Sequence, residues 1–286
     1  MKNMTSNENV PTVSCTSEYD RLKQVITVSP QHMKIEEAIN NTQQHYLTNN
    51  IDTEIAVKQH EKFINTLKTN GAAVIQLDAK EELNEQVFSR DIGFTIGGTF
   101  FVSSMKEGMR KAEIAVLKNW LESMEIPYQT IDNGNIEGGD VVVDNKNIWV
   151  GISGRTSPSA VTALQQLLPD YNITPIQLRE DILHLDCVFN IISKDTALIY
   201  RPAIDSDVYE YLNKTYQLIE VTEEEQFKMG PNVLSIGDKK IVSLPENKRL
   251  NQVLAQSGYQ MIEIDFSEII KSGGSFRCCT LPLVRG

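Results

Sequence analysis

Apolar residues along this chain alternate between two periods. A stretch with helical spacing is followed by a glycine, proline or polar break and then by a short run rich in β-branched residues. The pattern predicts helices over 54–70, 109–124, 158–168, 207–214 and 246–257, and a strand after each, at 73–77, 128–131, 173–177, 217–221 and 259–264. Further strands at 141–143, 148–150, 188–192, 197–200, 233–236 and 240–244 include pairs that read as hairpins, with Asp144-Asn145-Lys146-Asn147 and Gly237-Asp238 as turn chemistry. The unit recurs about every 40 to 55 residues, near the range in which repeats build propellers or solenoids. Five hairpin-bearing α/β modules imply one closed domain over 17–286, after a polar tail at 1–16. A doubly wound nucleotide-binding fold is the competing reading. It is weakened because no glycine-rich fingerprint joins a strand to a helix with an acidic residue about 20 positions on.

Composition narrows the range of partners. With 27 Lys and Arg against 38 Asp and Glu, the formal net charge is −11, which argues against nucleic acid and anionic membranes and leaves a cationic small molecule open. No run approaches the 18 or so apolar residues of a membrane span, and the first 13 residues are polar with no apolar stretch, so the expectation is a cytoplasmic protein. Four cysteines in 286 residues do not make a disulfide framework.

Two of them, Cys278 and Cys279, follow a glycine-bearing loop and stand beside Arg277. A cation there would lower a thiol pKa, and a nucleophilic cysteine needs a base that is distant in sequence but near in the fold. Among His32, His45, His60 and His184, the first three sit in polar or charged surroundings and read as solvated. His184 lies in Leu183-His184-Leu185-Asp186-Cys187-Val188-Phe189, where alternation into a strand puts His184 and Asp186 on one face. Three further elements carry charge beside glycines or at turns: Ser89-Arg90-Asp91, Glu137-Gly138-Gly139-Asp140, and Gly154-Arg155-Thr156. Each alone is equally good turn chemistry.

In this order, and with the opening Glu18-Tyr19-Asp20-Arg21-Leu22-Lys23 and the closing Cys278-Cys279-Thr280, these segments resemble the guanidino-modifying enzyme superfamily over almost the whole chain. That superfamily includes arginine deiminases, dimethylarginine dimethylaminohydrolases and amidinotransferases. The resemblance implies the pentein fold, a five-bladed pseudosymmetric α/β propeller of ββαβ-type modules. It also implies Cys278 as nucleophile, His184 as general acid and base, and Glu137 as the carboxylate that orients it. Asp91 and Asp186 would grip the guanidinium, Arg110 and Arg155 would hold an α-carboxylate, and Phe88 would pack on the substrate's methylene chain. Glu85 falls where relatives touch the ligand.

The implied reaction is hydrolysis of free L-arginine or a methylarginine through a covalent thiouronium, giving a ureido product and ammonia or an alkylamine. It needs no cofactor and no metal. The nucleophile could come from a thiolate–imidazolium pair or from deprotonation assisted by the cationic substrate. Two carboxylates on one guanidinium would favour arginine over asymmetric dimethylarginine. The alternatives are a dimethylarginine hydrolase proper, an amidinotransferase, a non-catalytic binding module of the same fold, and a zinc site built from His184, Asp186, Cys187, Cys278 and Cys279. A homodimer is an open assembly state.

Overall fold

The computed structural model describes residues 13–286. Several helices begin where the sequence supplies a side-chain cap. Asp52 accepts from the Ile55 amide at the start of a 17-residue helix, Ser157 caps the helix that opens with Pro158, and Thr222 and Glu225 form a reciprocal capping box. In chain order the first elements are β1 (Leu22–Val28), α1 (Asn41–Tyr46), α2 (Thr53–Thr69) and β2 (Ala73–Leu77). Next come β3 (Gly93–Ile96), β4 (Thr99–Val102), α3 (Glu113–Ser123) and β5 (Tyr128–Thr130), and then β6 (Val141–Asp144), β7 (Asn147–Ile152), α4 (Pro158–Leu167) and β8 (Asn172–Gln177). The fourth set is β9 (Phe189–Ser193), β10 (Thr196–Ile199), α5 (Ser206–Thr215) and β11 (Gln217–Glu220). The chain finishes with α6 (Glu223–Phe227), β12 (Leu234–Gly237), β13 (Lys240–Ser243), α7 (Lys248–Gln256), β14 (Gln260–Glu263) and β15 (Leu281–Arg285).

These strands form five three-stranded sheets among the described residues. Four of them repeat one plan: a tight antiparallel hairpin, a crossover helix, and a third strand parallel to the second. The remaining sheet is assembled from both ends of the chain. β15 pairs antiparallel with β1, which pairs parallel with β2. The last strand therefore closes the ring, and the fold is the five-bladed α/β propeller that the repeat implies. Apolar side chains of each blade meet its helix, so Leu117 and Leu121 of α3, Leu164 of α4 and Leu250 and Leu254 of α7 are fully buried. At roughly 25 cal/mol per Å² of apolar surface, each such leucine contributes about 2 kcal/mol.

Three local readings are corrected. The segment around His184 does not enter its strand by alternation: Leu185–Cys187 is a 3-10 turn, and β9 begins only at Phe189. Cys278 and Cys279, which alternation on a last strand would turn to opposite faces, lie instead in a helical turn before β15, with the Cys279 amide donating to the Ser275 carbonyl at 3.0 Å. His60 is buried on α2 against Phe63 rather than solvated. Of the residues assigned to a tail, Ser14 and Cys15 make bridges to Val284 and Gly97, while 1–12 lie outside the described residues. No helix among the described residues is long and apolar enough to cross a membrane.

Candidate active site

Four chain segments converge on one end of the ring. The turn of residues 138–140 follows Glu137 and precedes β6, the turn 185–187 follows His184 and precedes β9, Asp91 precedes β3, and the Ser272–Thr280 loop precedes β15. Each comes from the start of a blade's first strand, so the pseudosymmetry itself gathers residues that are far apart in sequence. Asp91, His184 and the loop from Ser272 to Cys278 enclose, with Ile39 and Asn40, a small cavity lined also by Glu85, Phe88, Arg110, Arg155 and Leu183. Two glycines make the close approach possible. A Cβ at Gly139 would stand 2.8 Å from both Asp91 Oδ1 and the His184 ring, and one at Gly274 would stand 2.5 Å from the Phe88 ring.

His184 Nε2 meets Glu137 Oε2 at 2.8 Å, with both residues buried, and Glu137 Oε1 accepts from the Lys106 amide at 3.1 Å. The His184 turn is pinned from beneath, because Asp140 Oδ1 accepts from the Leu185 amide at 2.9 Å and its other oxygen accepts from Ser153 Oγ at 2.7 Å. On the opposite edge of the imidazole, Nδ1 stands 3.7 Å from Asp91 Oδ1. Neither of those two buried atoms has a hydrogen-bond partner among the described residues. Burial alone would drive His184 toward neutrality, but the Asp91 carboxylate and the bond to Glu137 overcome it and raise its pKa to about 9.

The Cys278 thiol donates toward Asp186 Oδ2 at 3.4 Å and accepts from Asn232 Nδ2 at 3.0 Å. Asn232 also accepts, through Oδ1, the amides of Cys278 and Ser275 at 3.1 and 3.2 Å, so one buried amide fixes both the loop and the sulfur. Burial, the Asp186 carboxylate and Cys187 push the Cys278 thiol well above its ordinary pKa. The resting centre is thus a neutral thiol beside an imidazolium. Cys279 is turned into the core with no exposure.

Arg110 does not fit the role of carboxylate reader. Its Nε and Nη2 donate to Glu113 at 2.9 Å each, Nη1 donates to Asp91 Oδ2 at 2.6 Å, and Nη2 also reaches the Phe88 and Glu85 carbonyls. It holds Asp91 with its second oxygen turned to the imidazole. Arg155 is held more loosely: it donates to the Ile39 carbonyl at 3.0 Å, stands 3.6 Å from Glu107 and 3.8 Å from Glu137, and lines both the cavity beside Cys278 and a neighbouring depression. Asp186 is adjacent to the thiol, but Arg277 Nη1 occupies its Oδ2 at 2.6 Å. It is therefore less free for a guanidinium than two symmetric gripping carboxylates would require. Glu85 accepts from Ser272 Oγ at 2.9 Å, and burial raises its pKa to about 7 against the opposing Arg110 charge.

The residue set that could hold a cation is Asp91, Glu137 and His184, whose ligand atoms lie within 4.8 Å of one another. It is not the cysteine-rich set of the zinc alternative, whose ligand atoms are not gathered into such a group among the described residues. Asn232 is the one sulfur contact the sequence reading did not single out. Its signal was the Gly230-Pro231-Asn232 turn ahead of a strand, the same kind of turn that follows Glu137 and His184 in other modules.

A family model described as N,N dimethylarginine dimethylhydrolase, eukaryotic, matches residues 29–285. The Bacillus subtilis (strain 168) protein YkgA is 52% identical over 272 residues, 95% of each chain. The N(G),N(G)-dimethylarginine dimethylaminohydrolase of Mycobacterium tuberculosis is 24% identical across 82% of this chain and 77% of its own. The product-bound N-terminal domain of ArgZ, a cyanobacterial arginine dihydrolase, superposes with a TM-score of 0.84 at 22% identity, covering 93% of this chain and 98% of that domain. At that identity the likeness to ArgZ is one of fold.

Proposed function

The chain belongs to the N,N dimethylarginine dimethylhydrolase family, and from that premise we propose that it is a cysteine-dependent hydrolase of the guanidinium of free L-arginine or an N-methylated L-arginine. The observation that supports this best is the buried, unpartnered Asp91 Oδ1 beside the Cys278 cavity. A buried acidic oxygen without a partner is costly, and a planar cation with N–H groups is the guest that would satisfy it. Cys278 adds to the guanidinium carbon, and His184 protonates the departing nitrogen as the covalent thiouronium forms. The now neutral imidazole then takes a proton from water, which attacks the same carbon and releases the ureido product and the thiolate.

Arg155 lies between the reacting cavity and the outer depression, where it would meet an α-carboxylate. A panel of arginine, mono- and dimethylarginines, agmatine and guanidinoacetate, with ureido product, ammonia and methylamines measured separately, tests the assignment. A ureido amino acid is the expected product. Agmatine, which has no carboxylate, should show a kcat/KM lower by about 10- to 150-fold, one charge-assisted bond's worth. Failure to form a ureido product from any member would reject the hydrolase reading, and equal constants for agmatine and arginine would remove Arg155 from the carboxylate.

The protonation state makes a second prediction. At rest both Cys278 and His184 hold a proton, whereas the reactive form needs a thiolate beside an imidazolium and so has one proton fewer. The probability of reaching that form from free enzyme rises as pH approaches the lower of the two pKa values, that of His184 at about 9. kcat/KM should therefore climb about tenfold per unit between roughly pH 6 and 8 and bend near 9. The bend in kcat should lie lower, because the bound cation favours the thiolate. A kcat/KM flat from pH 6 to 8 would indicate a preformed ion pair instead.

A further inference from the structure

Behind the reactive centre, three arginines are buried in the interior of the ring. Arg90, Arg277 and Arg285 are each no more than 4% exposed. Their carboxylate partners are Glu18, 3.1 Å from Arg277 Nη2 and 3.5 Å from Arg90 Nη2, and Asp186 on Arg277 Nη1. Arg285 finds only carbonyls among the described residues, those of Asp20 and Ser235 at 2.7 and 3.0 Å. Within this cluster three buried guanidiniums face two buried carboxylates, a local surplus of one positive charge that is costly to bury. The strain is visible in Arg90, whose pKa is lowered to about 10 by burial and by Arg277.

The donors tell the same story. Arg90 Nε and Nη2, Arg285 Nε and Nη2, and Arg277 Nε are all buried with no hydrogen-bond partner among the described residues. Arg90 and Arg285 line a small cavity together with Cys15, Ser17, Glu18, Thr95, Val143 and Pro282. Apart from the Glu18 carboxylate its other walls are neutral: burial raises the Cys15 thiol pKa to about 12, and Thr95 Oγ1 donates to the Pro282 carbonyl. The room inside is about that of a single water-sized guest.

We propose that this cavity binds one small monovalent anion of halide size. Charge selects an anion over water, because a water molecule would satisfy some N–H groups but leave the net positive charge in place. Size excludes sulfate and phosphate, and the nearby Glu18 carboxylate disfavours a second negative charge. The site is separate from the substrate cavity but joined to it through Arg277, which reaches Glu18 on one side and Asp186, the neighbour of Cys278, on the other.

Crystals of the whole protein grown in bromide, with data collected at the bromine absorption edge, test this directly. An anomalous peak between Arg90 and Arg285 is expected, and a cavity holding only water at high bromide would overturn the proposal. In solution, replacing chloride by gluconate at constant ionic strength should lower Tm by on the order of 2 °C, and Arg90→Met should abolish that dependence by removing the surplus charge. A wild-type Tm indifferent to halide would also overturn it. If Arg90→Met does not fold, the bromide experiment on the wild-type protein decides.

Discussion

Replacing Cys278 by serine should lower kcat/KM by at least about 10⁴-fold, while Cys279→Ser keeps it within about tenfold of wild type. The two residues are neighbours in sequence and differ in everything that matters to a nucleophile. Cys278 lines the cavity, takes the Asn232 amide on its sulfur and faces Asp186. Cys279 is packed in the core and reaches no part of the cavity lining. A serine hydroxyl at 278 would hold its proton far more tightly than the thiol, and the substrate cation that makes a thiolate accessible would not make an alkoxide so. At 279 the same change puts a hydroxyl in an apolar pocket, a stability cost of roughly 1 to 3 kcal/mol without a role in the reaction. Mass spectrometry of an acid-quenched reaction should find the thiouronium adduct, still carrying the substrate's amino-acid chain, on the peptide at Cys278. An adduct on Cys279, or a Cys278→Ser protein with near wild-type turnover, would reject the assignment.

That choice between adjacent cysteines could be made from the sequence for the wrong reason. Alternation along a final strand predicts opposite faces, yet the pair sits in a helical turn, where successive side chains also diverge, by about 100°. The same substitution of one geometry for another occurs at His184 and Asp186. Both are brought to the centre by a 3-10 turn pinned by Asp140, not by a strand. Composition and spacing place chemistry at the start of a blade. They do not report the turn type, because Asp140 acts through a backbone amide 45 positions away.

The five crossover helices and the strand after each were legible because each carries its own local signal: an amphipathic stretch, a polar or glycine break and a β-branched run. Closure of the ring was less so. Pairing of β15 with β1 joins Leu281 to Ile26, a contact across nearly the whole chain that leaves no mark in local periodicity. Arg110 shows the limit most clearly. An arginine near an expected anion site invites the reading of a substrate clamp, but Glu113, three residues on in α3, takes two of its donors and leaves a third for Asp91. An i, i+3 pair of that kind was present in the sequence. Its burial, which turns a surface pair into a positioning device, was not.

His184→Gln should lower kcat by about 10³-fold and leave substrate affinity unchanged or tighter, and the second half of that expectation separates catalysis from binding. The imidazolium supplies the proton for the departing nitrogen and, once neutral, accepts one from water, so both steps fail without it; general acid and base roles of this kind are worth about 10² to 10⁴. The ring also stands 3.7 Å from Asp91 Oδ1, where its positive charge competes with a guanidinium for the same oxygen. Glutamine conserves much of the volume, can still bond Glu137, and removes that charge. Calorimetric titration of the variant with arginine or a methylarginine, paired with single-turnover assays, measures the two effects apart. If binding is lost along with turnover, His184 is holding the substrate rather than moving protons. If kcat stays within tenfold of wild type, another group carries the proton and the His184–Glu137 pair at 2.8 Å is a structural ion pair. Glu137→Gln provides the independent check: by removing one of the carboxylates that sustain the imidazolium, it should move the bend in kcat/KM from about 9 toward the ordinary histidine range without abolishing the reaction.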